Sequence, residues 1–178
     1  MGVETGLVTF AEFEALPDPP SGHCELHHGR VVLMPPRKKI HMQIQQMLMN
    51  LLAPVLHDLG FLATEFGFRA APEYESWQCD IGFVPRGRWN ADHNDYFLGA
   101  PDFAIEVLSR SNTMDEMLER QYICLANGCR AFWIVDPQRQ TVMVTTPDRK
   151  TAAYDRSSFV PLPEPYDGAL EVAAIFRL

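Results

Sequence analysis

The chain has 178 residues, of which 47% are hydrophobic and 21% are charged, and its formal net charge at pH 7 is −8. This size and composition predict one soluble globular domain with a sizeable core, and no apolar run approaches the roughly 20 residues that a membrane-spanning helix needs. The acidic balance argues against a passive nucleic-acid coat, because backbone binding draws mostly on Lys and Arg side chains.

The cysteines and the N-terminal segment indicate the compartment. The segment MGVETGLVTF carries Glu4 and has no basic region, so it is unlike a secretory signal. The four cysteines show neither CxxC spacing nor a disulfide framework. We therefore expect free thiols in a reducing cytoplasm. The cysteines are Cys24, Cys79, Cys124 and Cys129.

Hydrophobic periodicity and turn residues divide the first half of the chain into two helices, a β-hairpin and two strands. CELHHGRVVLM alternates and turns at His28-Gly29, which is typical of a hairpin. Apolar residues recur at helical spacing from Ile40, and Pro54 is expected to kink that helix or to begin its last turns. In chain order we predict a helix at 10–16, the hairpin at 24–34, a helix at 40–60, and strands near 61–69 and 79–84.

The second half is predicted to add strands around a further helix. Thr113 and Glu116 form a capping-box signature, and Asn127-Gly128 is a helix stop. AFWIVDP is a continuous apolar run of the kind found in the middle of a sheet. The predicted elements are a strand near 102–108, a helix at 113–126, strands at 131–137 and 141–146, a short strand near 158–161 and a helical turn near 172–176. The whole order predicts an α/β or α+β fold, with one mixed sheet flanked by helices.

Two carboxylates interrupt strongly apolar strands, Asp80 in CDIGFVP and Glu106 in APDFAIEVLS. Buried carboxylates are rare unless they are paired or bind a metal. If the two strands are neighbours, both acids can converge on one hard cation, and Gly82 leaves space beside Asp80. Mg²⁺ accepts one or two carboxylates and takes its other ligands from water and phosphate. Alternatively, Asp80 faces water at its strand end and Glu106 pairs with an arginine of the following helix.

The segment HCELHH superficially resembles a zinc cluster. On a strand, however, His23, Glu25 and His27 point to one side, while Cys24 and His28 point to the other. A closed tetrahedral zinc site is therefore disfavoured.

Local basic and polar residues are the candidates for substrate contacts. His41 lies at the start of a helix, where phosphate binds favourably. Asp102 follows a proline at the start of its strand. Aspartate is also common at that position for structural reasons alone. The basic loop residues are either substrate contacts or solvated surface charges. These basic candidates are Arg37, Lys38, Lys39, Arg86, Arg88 and Arg110.

The ordered set of motifs resembles the Uma-type (Uma-two) family, a bacterial group assigned to the restriction-endonuclease-like PD-(D/E)XK superfamily. The resemblance runs from about residue 10 to the C-terminus. Its most specific parts are GAPDFAIEVLSRSNT and WIVDP, taken in order. The motifs that carry it are CELHHGRVVLMPP, CDIGFVPR, GAPDFAIEVLSRSNT, a helix ending in LANGC, and AFWIVDP.

The resemblance implies roles for four residues. Glu25 matches the acid of the first motif, Asp80 the metal-binding aspartate and Glu106 the acid of the E-x-K element. Leu108 stands where that element expects lysine, and the cation that the family places on the following helix falls on Arg120. Arginine stays charged and is a poor proton acceptor. Alternatively, Arg120 is an exposed partner of Glu116 one turn earlier.

The sequence thus predicts a Mg²⁺- or Mn²⁺-dependent endonuclease that hydrolyses DNA, with Asp80 and Glu106 as metal ligands. The alternatives are a catalytically inactive module that binds nucleic acid or protein, and a hydrolase of another phosphate ester. The apolar strands AFWIVDP and TVMVTT further suggest a homodimer.

Overall fold

The computed structural model describes residues 6–89, 96–109 and 112–177, and Arg110 lies outside them. Within these ranges the chain forms one large sheet with helices and two smaller strand pairs beside it. In chain order they are α1 Phe10–Glu14, β1 His23–His27, β2 Arg30–Met34, α2 Lys39–Leu56, β3 Gly60–Phe68, β4 Trp77–Pro85, β5 Phe103–Val107, α3 Met114–Ala126, β6 Ala131–Asp136, β7 Thr141–Thr145, β8 Thr151–Tyr154, β9 Phe159–Pro161, β10 Ala169–Glu171 and α4 Val172–Ile175.

The central sheet has six strands in the order β3-β4-β5-β6-β7-β8. Strands β5 and β6 run parallel, with α3 as their crossover, and the other neighbouring strands are antiparallel. The hairpin β1–β2 and the pair β9–β10 form two separate small sheets. The predicted fold class, a mixed sheet flanked by helices with an N-terminal hairpin, is confirmed.

Apolar side chains cover both faces of the sheet. Helix α2 places Ile44, Leu48, Leu52 and Leu56 four residues apart, and all are fully buried in a cluster with residues of β4, β5 and β6. Each such side chain contributes about 1.5–3 kcal/mol when buried. A second cluster joins α3 to the other face of the sheet. Strands β4 and β5, which carry the two predicted acids, are therefore held between two apolar layers.

Several element boundaries differ from the prediction. Helix α2 ends at Leu56 with Pro54 inside its last turn, and Gly60 begins β3 instead of closing the helix. Strand β4 begins earlier, at Trp77, and β8 was not predicted. The described residues include no helix that is both long and apolar enough to span a membrane.

The apolar runs proposed as a dimer surface are core strands. All six residues of β6 are buried, and β7 pairs with β6 on one side and β8 on the other. Their hydrophobicity is explained by the interior of the sheet, so they offer no argument for a second subunit.

Candidate active site

A pocket of about 290 Å³ lies between the β1–β2 hairpin, the start of α2, the end of β5 and the first turns of α3. The register of β4 and β5 pairs Ile81 with Ile105, and one further step along the same register places Asp80 opposite Glu106. The charged lining of the pocket includes Glu25, Arg37, Lys38, His41, Asp80, Glu106 and Arg120. The sheet thus delivers both predicted acids to one place.

Asp80 is 1% exposed and has partners on both carboxylate oxygens. Oδ2 accepts a hydrogen bond from the Val107 backbone N–H at 2.7 Å and lies 3.0 Å from His41 Nε2. Oδ1 lies 3.0 Å from Arg37 Nε and 2.6 Å from Arg37 Nη2. Burial favours the neutral form, but His41, Arg37 and the Val107 N–H outweigh it and lower the pKa of Asp80. Asp80 is therefore the ionised acid of the pair.

Glu106 has the opposite electrostatic setting. Burial, reinforced by the charge of Asp80, raises the pKa of Glu106 well above its ordinary value, although Arg120 opposes this shift. The nearest atom of Arg120, Nη1, is 3.4 Å from Glu106 Oε1. Two neighbouring carboxylates that titrate apart are typical of functional sites.

Arg120 is buried between three acceptors and is not an exposed partner of Glu116. Its Nη2 donates to both oxygens of Glu25, at 2.9 and 2.8 Å, and its Nη1 donates to the Gln78 carbonyl at 2.8 Å. Burial disfavours the charged guanidinium, but the charges of Glu106 and Glu25 outweigh this and raise the pKa of Arg120. Arg120 is therefore a fixed positive charge at the pocket wall.

Glu25 is held as an anion by this arginine and by two histidines. His27 Nε2 is 2.7 Å and His23 Nε2 is 3.2 Å from its oxygens, which agrees with the prediction that the three side chains share one face of β1. Burial raises the pKa of Glu25, but the hydrogen bonds from His23 and His27 and the charge of Arg120 lower it further than burial raises it. The contacts of Glu25 make it the counter-ion of Arg120.

The donor set fits a hard divalent cation under one condition. Asp80 and Glu106 supply two carboxylates to one pocket, and this is the number that Mg²⁺ accepts from protein when water and phosphate complete its coordination. A cation between them would also offset the charge of Asp80, which together with burial raises the pKa of Glu106. The condition is that Arg37 leaves Oδ1 of Asp80, where it now donates. The described part of the chain has no cluster of three or more His, Cys, Asp or Glu side chains suited to a metal.

Two candidate substrate contacts lie outside the pocket. Asp102 is at the other end of β5, buried in ion pairs with Arg88 and Arg130. Lys39 is exposed and is not part of the pocket lining, whereas Lys38 and His41 are. The proposed space beside Gly82 is also occupied, because a Cβ there would lie 2.5 Å from Phe66 Cγ. Gly82 therefore admits the Phe66 ring of β3 and leaves no room for a ligand.

Sequence reasoning missed Glu65 and Gln45. Glu65 Oε1 lies 2.7 Å from Arg37 Nε and accepts a hydrogen bond from Gln45 Nε2 at 2.7 Å, and Oε2 accepts from Gln78 Nε2 at 2.9 Å. Its backbone φ of 52° is unusual for a residue other than glycine. The sequence carries no signal for this role, since Glu65 lies in an alternating strand where an exposed acid is ordinary.

A mixed sheet with two acids on the neighbouring strands β4 and β5, beside a buried cation on the crossover helix, defines a nuclease-like fold of the restriction-endonuclease type. The chain belongs to the Uma2 family, described as "Putative restriction endonuclease", whose sequence profile matches residues 10–174. This confirms the resemblance drawn from the ordered motifs.

A solved structure has the same fold over nearly the whole chain. It is described as "a putative nuclease belonging to DUF820" from Anabaena variabilis ATCC 29413. The two proteins share 25% sequence identity with a TM-score of 0.84, and the match covers 95% of this chain and 97% of the other. A search of curated proteins found no match.

Proposed function

We propose that this protein is a divalent-metal-dependent endonuclease that hydrolyses phosphodiester bonds of DNA. The observation that carries the proposal is the pair Asp80 and Glu106, buried on neighbouring strands and lining one pocket with the fixed charge of Arg120. The nuclease-like fold and the family description support the same chemistry. Asp80 and Glu106 would hold Mg²⁺ or Mn²⁺, which supplies a nucleophilic water at neutral pH and stabilises charge on the phosphate.

The remaining residues of the pocket bind and orient. Arg120 keeps its proton and can neutralise a phosphate oxygen without exchanging protons with water. Glu25 holds the guanidinium by two hydrogen bonds, so the direction of that charge is set before substrate arrives. His41, in the first turn of α2, lies 3.0 Å from Asp80 Oδ2 and helps to lower the pKa of that acid. Lys38 extends the positive lining at the N-terminus of that helix.

Cleavage of plasmid DNA in Mg²⁺ or Mn²⁺ tests this function. We expect nicked and linear products with the wild-type protein, none with EDTA, and at least a hundredfold slower cleavage with Asp80→Asn, which preserves side-chain shape. Arg156→Gln is the matched control, because Arg156 is exposed and far along the chain between β8 and β9. Equal rates for Asp80→Asn and the wild type, or no cleavage by either, would exclude the proposal.

The second candidate is an inactive module that kept the fold and binds nucleic acid or protein. The family resemblance implies a lysine as the cation of the site, so the arginine found there, Arg120, favours this candidate, as does Arg37, which already contacts Asp80. Filter binding of labelled DNA in EDTA distinguishes the two. The module should bind without metal and never cleave, whereas the enzyme should need metal for productive binding.

We also propose a cytoplasmic location and a homodimer. All four cysteines are free thiols, and three of them are buried, which suits a reducing compartment such as the cytoplasm. A homodimer would allow two cuts on opposite strands, and sedimentation of the purified protein would measure it.

A further inference from the structure

Arg37 donates to the Asp80 carboxylate, which is one of the two that would bind the proposed metal. We propose that Arg37 is an exchangeable counter-ion of Asp80: a divalent cation displaces it, and Glu65 then holds the released guanidinium at the pocket, where it binds the substrate's phosphate. This inference rests on the proposed function. It assigns a binding role to Arg37 and a positioning role to Glu65.

The contacts of Asp80 identify Arg37 as the partner that must leave. Oδ2 is engaged by the Val107 backbone N–H, fixed in β5, and by His41, buried in α2. Oδ1 is engaged by two nitrogens of Arg37, at 3.0 and 2.6 Å. Arg37 belongs to the loop between β2 and α2. A cation that approaches Asp80 from the pocket therefore competes with Arg37, while the other two partners belong to the rigid frame.

Glu65 is built to retain Arg37 after that exchange. Arg37 Nε lies between the two acids, 2.7 Å from Glu65 Oε1 and 3.0 Å from Asp80 Oδ1. Gln45 and Gln78 each donate to one oxygen of Glu65, and the same Gln45 nitrogen donates to the Asp80 carbonyl. A left-handed backbone at a residue other than glycine is unfavourable and persists only where the surroundings impose it. Glu65 is therefore a fixed anchor beside the metal ligand.

The position of Arg37 suits a phosphate. Its side chain is 18% exposed and lines the pocket next to Lys38. Guanidinium groups bind phosphate oxygens in a bidentate manner, and they do so best when a carboxylate fixes their plane. In the metal-free protein the positive charge of Arg37 neutralises Asp80. Once a cation neutralises Asp80, that charge becomes available to the substrate.

Calorimetry with MnCl₂ alone tests the exchange, with wild type, Arg37→Gln and the control Arg156→Gln. We expect Arg37→Gln to bind Mn²⁺ about tenfold more tightly, because the competitor is gone, at a site that Glu106→Gln abolishes. The affinity for DNA should change in the opposite direction to the affinity for Mn²⁺. Fluorescence anisotropy of a labelled oligonucleotide in Ca²⁺ should show about tenfold weaker DNA binding by Arg37→Gln than by wild type. A purely structural role for Arg37 would not produce opposite changes in the two affinities.

The outcomes separate the two proposals. Unchanged or weaker Mn²⁺ binding by Arg37→Gln, at a site lost in Glu106→Gln, overturns the exchange and leaves the metal centre intact. Absence of Mn²⁺ uptake by every variant overturns both. Tighter Mn²⁺ binding by Arg37→Gln, with no DNA cleavage by wild type or any variant, supports the exchange and overturns the proposed nuclease activity. If Arg37→Gln does not fold, Arg37→Lys takes its place. Lysine keeps the positive charge but lacks the planar guanidinium that contacts Asp80 through two nitrogens. Arg37→Lys should therefore bind Mn²⁺ two- to fivefold more tightly than wild type.

Discussion

Arg120 and Glu25 are joined by two hydrogen bonds from one guanidinium nitrogen, at 2.9 and 2.8 Å, across 95 residues of chain. Both side chains are buried, and they connect the N-terminal hairpin to the crossover helix α3. The pair therefore serves two purposes, since it ties the hairpin to the domain and sets the direction of the positive charge beside Glu106.

Breaking this pair on one side should be costly. Arg120→Met leaves the Glu25 carboxylate buried without its cation, so we expect a loss of about 3–5 kcal/mol in the free energy of unfolding. Glu25→Gln/Arg120→Met should lose less than the sum of the single variants, by about 2 kcal/mol. Urea denaturation at pH 7 measures all three. Additive losses would show that the two side chains do not act as a unit.

Arg120→Lys separates charge from geometry. Lysine keeps the positive charge but, with a single nitrogen, cannot contact Glu25 and the Gln78 carbonyl through two separate nitrogens as Arg120 does. We expect DNA cleavage to fall less than tenfold in Arg120→Lys, and at least a hundredfold in Arg120→Met. Initial rates with melting temperatures for each variant check this. A lysine variant as inactive as the methionine variant would contradict a charge-based role.

Glu106→Gln should stabilise the metal-free protein while abolishing cleavage. The folded-state pKa of Glu106 is raised above the ordinary value of 4.5, so its unfavourable contribution is absent at low pH and grows as pH rises above about 4.5. The neutral amide avoids that cost. A gain of about 1 kcal/mol at pH 7 corresponds to about 2–4 °C in Tm for a chain of this size.

Thermal melts in EDTA at pH 4 and pH 7 measure the effect. The stabilising effect of Glu106→Gln should be larger at pH 7 than at pH 4, and Mn²⁺ should raise the Tm of the wild type but not that of the variant. A variant that is less stable than wild type at pH 7 would contradict the raised pKa of Glu106 in the folded protein.

Gly82→Ala tests the packing role assigned to that glycine. The added Cβ would meet the buried ring of Phe66 at 2.5 Å, so β3 and β4 must shift apart. We expect a loss of about 1–3 kcal/mol, as for other overpacked sites, with the Mn²⁺ affinity unchanged in protein that remains folded. Calorimetry below the melting temperature checks this. A loss of metal binding in folded Gly82→Ala protein would show that Gly82 is part of the metal site.

The sequence was sufficient to predict the acids, because a carboxylate inside an apolar strand is conspicuous. The apolar strand patterns single out Asp80 and Glu106, and the structure brings both to the lining of one pocket from the neighbouring strands β4 and β5. The capping box of Thr113 and Glu116 was predicted in the same way, and it is present at the start of α3. These features depend on local patterns, which sequence alone displays.

Most partners of the acids could not be predicted, because periodicity gives a side chain's face but not its neighbour; the exception is the alternative that Glu106 pairs with an arginine of the following helix, which is Arg120. The sequence leaves Arg37 as either a substrate contact or a solvated loop charge, and the loop after β2 brings it to Asp80. For Arg120 the sequence leaves open a cation of the site or an exposed partner of Glu116, and tertiary packing places it against Glu25. Glu65 could not be predicted as a residue of the site. Its position depends on a backbone φ of 52°, and a glutamate in a strand sequence does not indicate that conformation.

The most direct measurement of the central claim is an anomalous difference map from crystals soaked in Mn²⁺. We predict one peak within about 2.0–2.3 Å of a carboxylate oxygen of Asp80 and of Glu106, with Arg37 withdrawn to Glu65. A map at saturating Mn²⁺ with no peak between these two carboxylates would contradict a metal-dependent nuclease at this site.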